Sequence, residues 1–196
     1  MKSSMFGLLT LVTQNLSRVD DAQVEKCMEL VLGHRDSQIL VLGAGRSGLV
    51  GRALALRLLH LGYKVHVLGD TIVPSIQEND LVIAISGSGK TKLVTAAVEA
   101  AKMVGATILA ITSFPDSPLA KLGDHVVQVK GRIIESEEGR QDYFARQILG
   151  LHEPLAPLGT LFEDSCMILV DAIIPVLMDE MKLSEEHLNR LHANIE

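Results

Sequence analysis

Tryptophan is absent from this sequence, and only four phenylalanines and two tyrosines are present. So few flat rings leave little to stack on nucleobases. Basic charge is also short, with 18 Lys and Arg against 24 Asp and Glu and a formal net charge of −6 at pH 7. A chain that coats nucleic acid needs a basic face, so nucleic acid is not an expected partner. Cysteine is nearly missing. Cys27 and Cys166 lie far apart, without C-x-x-C spacing or an adjacent histidine cluster. Neither a disulfide framework nor a zinc site is predicted, and a reducing compartment is the default. Long hydrophobic runs are missing too. The most apolar internal stretch, Cys166–Met178, contains Asp171 and is shorter than the ~20 residues a membrane span needs. The apolar run from Met5 to Val12 is broken by Thr10 and lacks a small-residue cleavage site, so no signal peptide is predicted. The expectation is a cytoplasmic protein with no membrane contact.

What remains is an ordinary globular composition. The chain has 196 residues, 47% hydrophobic and 21% charged, enough to bury one sizeable core and too apolar to stay disordered. Leu8, Leu9, Val12 and Leu16, then Val24, Cys27, Met28 and Val31, recur at helical spacing. Residues 1–33 therefore read as two helices with a break near Ser17–Asp20 and a stop at Gly33. Gln38–Leu42 is nearly continuous apolar sequence, the mark of a strand buried on both faces of a parallel sheet. Gly43–Gly48 follows, and an amphipathic helix runs from Leu49 to Leu61. Further strands are predicted at Lys64–Leu68, Asp80–Ile85, Thr107–Ile111 and His125–Val129, with helices near Lys92–Val104 and Pro115–Leu122 between them. This alternation over 36–129 predicts an α/β fold: a three-layer αβα sandwich around a five-stranded parallel sheet. Residues 130–158 hold charges, glycines and prolines without a period and read as a loop or lid. Helices over Leu161–Met181 and Ser184–Leu191 close the chain within 159–196, so helical extensions flank the core at both termini of a single domain.

Two glycine turns stand out. Gly43-x-Gly45-x-x-Gly48 matches the dinucleotide fingerprint as a string, and Asp70 could supply the acid that a nicotinamide cofactor needs. A bare strand-to-helix turn without a ligand fits better than a dinucleotide site. The second turn, Ser86-Gly87-Ser88-Gly89-Lys90-Thr91, is not a P-loop, because Ala84 stands where that motif needs glycine. It offers hydroxyls and free backbone amides at a helix N-terminus, a set suited to one phosphate monoester. Two such turns at the carboxyl ends of parallel strands converge on one crevice. Together they favour a small phosphorylated ligand over a nucleotide.

The segments 43–48 and 57–63 (Arg-Leu-Leu-His-Leu-Gly-Tyr), 85–91 (Ile-Ser-Gly-Ser-Gly-Lys-Thr), 158–163 (Leu-Gly-Thr-Leu-Phe-Glu) and 190–194 (Arg-Leu-His-Ala-Asn) together resemble a sugar isomerase (SIS) domain. More narrowly, they resemble the 6-phospho-3-hexuloisomerase family. The resemblance implies a flavodoxin-like sheet and a homo-oligomer, dimer or tetramer. It also implies interconversion of D-arabino-3-hexulose 6-phosphate and fructose 6-phosphate through a cis-enediol, within formaldehyde fixation or release by the ribulose monophosphate pathway. Such proton transfer calls for no redox cofactor and no metal. Two alternatives stay open: another sugar-phosphate isomerase, of the arabinose 5-phosphate or sedoheptulose 7-phosphate type, or a non-catalytic sugar-phosphate-binding module.

The resemblance makes Glu163 the general base, whereas spacing alone reads Thr160-x-x-Glu163 as a capping box. Asp164 is the rival acid, and Glu153 is another nearby. Arg46 is assigned to substrate hydroxyls or the enediolate oxygen, where fixed positive charge lowers the barrier. Ser86, Ser88 and Thr91 are assigned to phosphate with Gly87 and Gly89; Lys90 adds charge, and Ser47 either binds substrate or caps its helix. Among seven histidines, His66 is assigned to the core and His60 to packing; His34, His125, His152 and His187 sit in no motif. His192 falls in the terminal match and is assigned to ring opening in a neighbouring subunit.

Overall fold

The computed structural model describes residues 1–131, 159–192 and 194. Five parallel strands run β1 (Gln38–Gly43), β2 (Lys64–Val67), β3 (Leu81–Ile85), β4 (Thr107–Thr112) and β5 (His125–Gln128), in the order β2-β1-β3-β4-β5. Helices α1 (Lys2–Leu16), α2 (Asp21–Gly33), α3 (Gly45–His60), α4 (Lys92–Met103), α5 (Pro118–Leu122), α6 (Thr160–Glu180) and α7 (Glu185–Leu191) complete the described elements. The three-layer α/β arrangement matches the sequence expectation.

Alternation along the strands builds two cores. Ile39, Val41, Ile83, Ile85, Leu109 and Ile111 face α2, α3 and α6. Leu40, Leu42, Val82, Ala84, Ile108 and Ala110 face α4 and α5. β3 is apolar at every position, and β1 and β4 are apolar between their end residues, because both faces are covered. His66 corrects its assignment: β2 is the sheet edge, where the residue is half-buried. Outside the sandwich, α1 packs on α6 through Val12 and Leu161. The break between α1 and α2 falls where predicted, and Asp20 caps α2 by accepting from the amides of Ala22 and Gln23. Gly33 is the last residue of α2, with His34 as its C-cap.

Both cysteines are free and buried. Burial pushes the Cys27 thiol from 9.0 up to about 12, and burial with the nearby Glu163 charge pushes Cys166 up as well. An acid whose folded value is raised stabilises the fold fully below the unfolded value and loses that contribution as pH rises through the folded one. Urea midpoints are therefore expected to fall as pH rises from 9 towards 12, and Cys27→Val is expected to flatten that fall. An equally steep fall in the variant would assign the alkaline loss to other groups. Among the described residues no helix is long and apolar enough to cross a membrane.

Candidate active site

Strands β1 and β3 lie side by side, but their chains leave for opposite faces, β1 into α3 and β3 into α4. Such a divergence opens a crevice beyond the carboxyl ends of the two strands, and the two glycine turns stand there.

At the first turn, a Cβ on Gly43 would lie 2.7 Å from the Ser47 carbonyl oxygen and 2.8 Å from the Gly48 Cα. Glycine at 43 therefore lets α3 sit directly on the strand end. That helix begins at Gly45 rather than Leu49, with extended Ala44 as its N-cap. Arg46 and Ser47 consequently belong to the first helical turn, and Ser47 is buried. Ser47 is not the helix cap; that alternative is overturned by its position inside the turn. Asp70, the acid a nicotinamide cofactor would need, accepts instead from Arg52 Nη2 at 2.8 Å.

The second turn is held by its own hydroxyls. Ser86 Oγ and Thr91 Oγ1 stand 3.2 Å apart, the Gly89 amide donates to the Ser86 carbonyl at 3.0 Å, and the Lys90 amide donates to Ser88 Oγ at 3.2 Å. Thr91 is the N-cap residue of α4, yet its side chain does not cap the helix. First-turn amides and hydroxyls at a helix N-terminus are groups that can cradle an anion. Lys90 is exposed at its rim.

Helix α6 brings the third component. Gly159, in the left-handed region at φ 88, is its N-cap, and Thr160 is already helical. The predicted capping box is therefore not formed, since it needs Thr160 in the capping position. Glu163 is turned instead towards α3. Arg46 Nε donates to Glu163 Oε2 at 2.5 Å, and Arg46 Nη2 donates to Asp164 Oδ1 at 3.1 Å. The Glu163 side chain is 12% exposed and that of Asp164 34%, so Glu163 is the more shielded acid. The hydrogen bond to Glu163, then the charges of Glu163 and Asp164, hold the Arg46 guanidinium above its usual range against its partial burial. One residue earlier, the Phe162 ring covers Gly87, where an added Cβ would lie 3.0 Å from the ring. Arg46 of the first turn thus meets Glu163 of α6, and Gly87 of the second turn meets Phe162 on the same helix.

Two participants escape the sequence reading. Phe162 joins α6 to the second turn, and Ser113 lies beside Gly87, donating its amide to the Gly87 carbonyl at 3.1 Å. Ser113 carried a faint signal as a hydroxyl just past an apolar strand, and only the β3–β4 register places it at the crevice. His192 is not brought to this site within one chain. Its ring lies 5.0 Å from that of His60, at the far end of α3 from Arg46, about 21 Å away at the helical rise. Burial, then the charges of His192 and Arg57, hold the buried His60 below its usual range. Glu153 and the lid expected over 130–158 fall almost wholly outside the described residues.

The SIS domain model matches residues 34–139. A protein of Aeropyrum pernix with no characterised role is 53% identical over 98% of this chain and 91% of its own. A chain of Mycobacterium gastri named 3-hexulose-6-phosphate isomerase is 40% identical, over 94% of this chain and 92% of its own. The crystal structure of a hypothetical protein from Methanococcus jannaschii, for which the function of a 3-hexulose-6-phosphate isomerase has been inferred, superposes with a TM-score of 0.77. It is 27% identical and covers 96% of this chain and 98% of its own.

Proposed function

Since this chain belongs to the SIS-domain family, alongside chains named 3-hexulose-6-phosphate isomerase, we propose that it is a sugar-phosphate isomerase interconverting D-arabino-3-hexulose 6-phosphate and fructose 6-phosphate. The observation that carries the reading is the Arg46–Glu163 contact, set beside the hydroxyl-rich turn by Phe162 on Gly87. The phosphate binds at Ser86, Ser88 and Thr91 with the amides around Gly87 and Gly89, and the sugar chain reaches from there to Glu163. Glu163 removes the C3 proton of fructose 6-phosphate, giving a cis-enediol across C2 and C3. It returns a proton to C2 as the carbonyl forms at C3. A positioned base supplies about 10²–10⁴-fold, and the Arg46 charge stabilises the enediolate oxygen. The reaction serves formaldehyde fixation or release by the ribulose monophosphate pathway. Two buried, unpaired thiols suit a cytoplasmic setting.

Proton NMR of fructose 6-phosphate with the protein, in EDTA and deuterated water, tests this. The expected result is the 3-hexulose phosphate, with deuterium entering at C3 of the recovered substrate. Binding of the sugar phosphate without exchange would replace the isomerase by a binding module.

Met5, Phe6 and Leu9 on α1 and Leu49, Leu56 and Leu59 on α3 are exposed. Exposed apolar side chains on these helices are in keeping with a homo-oligomer, dimer or tetramer, in which His192 serves a neighbour's ring opening. Light scattering is expected to give a multiple of the 21.2 kDa chain mass. A monomer would remove His192 from the mechanism.

A further inference from the structure

Helix α1 lies outside the segment that the family model matches, yet it braces the site from behind. Val12 and Asn15, one turn apart on α1, meet Leu161 and Ser165, one turn apart on α6. The Asn15 side chain is almost wholly enclosed, the residue being 1% exposed. Its Nδ2 donates to Ser165 Oγ at 2.8 Å and to the Lys130 carbonyl oxygen at 2.6 Å. One amide therefore fastens three segments: α1, the first turns of α6, and the chain leaving β5 at the carboxyl edge of the sheet. The amide cannot be turned over, because a backbone carbonyl only accepts and must face the NH₂ group.

The amide is only half satisfied. Its Oδ1 is buried without a hydrogen-bond partner among the described residues, a cost set against the two bonds its NH₂ group donates, both of which an apolar side chain would forfeit. What the amide supplies is direction. Glu163 and Asp164 lie between Leu161 and Ser165 in sequence, and their side chains reach the other way, to Arg46 on α3. The start of α6 is thus gripped from one side by α1 and engaged from the other by Arg46.

We propose that Asn15 is a positioning residue of the isomerase site, setting the height and rotation of α6 so that Glu163 meets Arg46 above the second glycine turn. The inference rests on the isomerase reading. It matters because a misplacement of ~1 Å can cost about 10²-fold in rate.

Asn15→Leu keeps the branched outline, with bulkier methyl groups, and removes both donors. It is expected to lower kcat about tenfold or more, while KM for fructose 6-phosphate stays within about twofold because every residue assigned to the phosphate is unaltered. Ser165→Ala, losing one bond, is expected to cost about threefold in kcat. The double variant is expected to resemble Asn15→Leu alone, since the two residues share that bond. A purely structural role would lower the melting temperature and leave kcat unchanged in the folded protein, and that outcome overturns the proposal. Should Asn15→Leu fail to fold, Ser165→Ala decides: reduced kcat at constant KM supports the proposal, and unchanged kcat overturns it. Lack of turnover in the unaltered protein would sink the isomerase reading and this inference together. Turnover there with unaltered kcat in the variants would sink the inference alone.

Discussion

Glu163→Gln is expected to lower kcat by about 10²–10⁴-fold while the affinity for fructose 6-phosphate changes little. Gln matches Glu in shape and can still accept from Arg46 Nε, so the contact now at 2.5 Å survives as a neutral hydrogen bond. It cannot take a proton from carbon. Because Arg46 is half-exposed, weakening this ion pair is expected to cost about 1 kcal/mol of stability or less. Turnover followed by NMR, with calorimetry for binding, separates the two effects. A rate within about threefold of the unaltered protein would discard Glu163 as base and transfer the role to Asp164, the other carboxylate on Arg46. An equal loss of binding and turnover would make Glu163 a substrate contact instead.

Gly89→Ala is expected to damage both fold and phosphate site. Gly89 has φ 60, in the left-handed region that costs an L-residue roughly 1–2 kcal/mol. An added Cβ would also stand 2.1 Å from Ser117 Oγ and 2.5 Å from Ser117 Cβ, so Ser117 must move. Ser117 caps α5 by accepting from the Ala120 amide at 3.3 Å, and losing such a cap costs about 1 kcal/mol. The sum, about 2–3 kcal/mol, corresponds to a fall in melting temperature of roughly 4–12 °C for a chain of this size. The distorted turn also takes its amides away from the phosphate, and the Kd of a sugar phosphate is expected to rise about tenfold or more. Gly33→Ala is the control, since Gly33 is helical with nothing within 4 Å of an added Cβ. Equal melting temperatures for the two variants would mean that the second turn yields more easily than its contacts imply.

Much of the site is legible in the sequence because its parts are local. The strand that leads into each glycine turn is a nearly continuous apolar run, and the turns carry their candidate chemistry within six residues. The family resemblance singles out Glu163, where spacing alone favours a cap. Where sequence and structure differ, the deciding contact lies in the packing of one element on another. Ser47 looks like a cap if the helix starts at Leu49; close packing of Gly43 against Gly48 starts it at Gly45 instead. The Thr160 box dissolves because left-handed Gly159 takes the cap position. Arg46 looks free for substrate, and the fold gives it two carboxylates from α6.

Composition and periodicity by themselves determined the fold class, the order of the described elements and the pair of glycine turns after β1 and β3. Those properties follow from backbone preference and from which face of each element must be apolar, and both are written in neighbouring residues. Tertiary structure alone decided that Phe162 covers Gly87, that Arg46 binds Glu163 and Asp164, that Asn15 ties α1 to α6 and to the end of β5, and that His192 lies at the far end of α3. Each of these joins residues far apart along the chain. Such pairs leave no periodic trace, because packing between elements fixes their meeting and one sequence carries no mark of which distant partner a side chain will find.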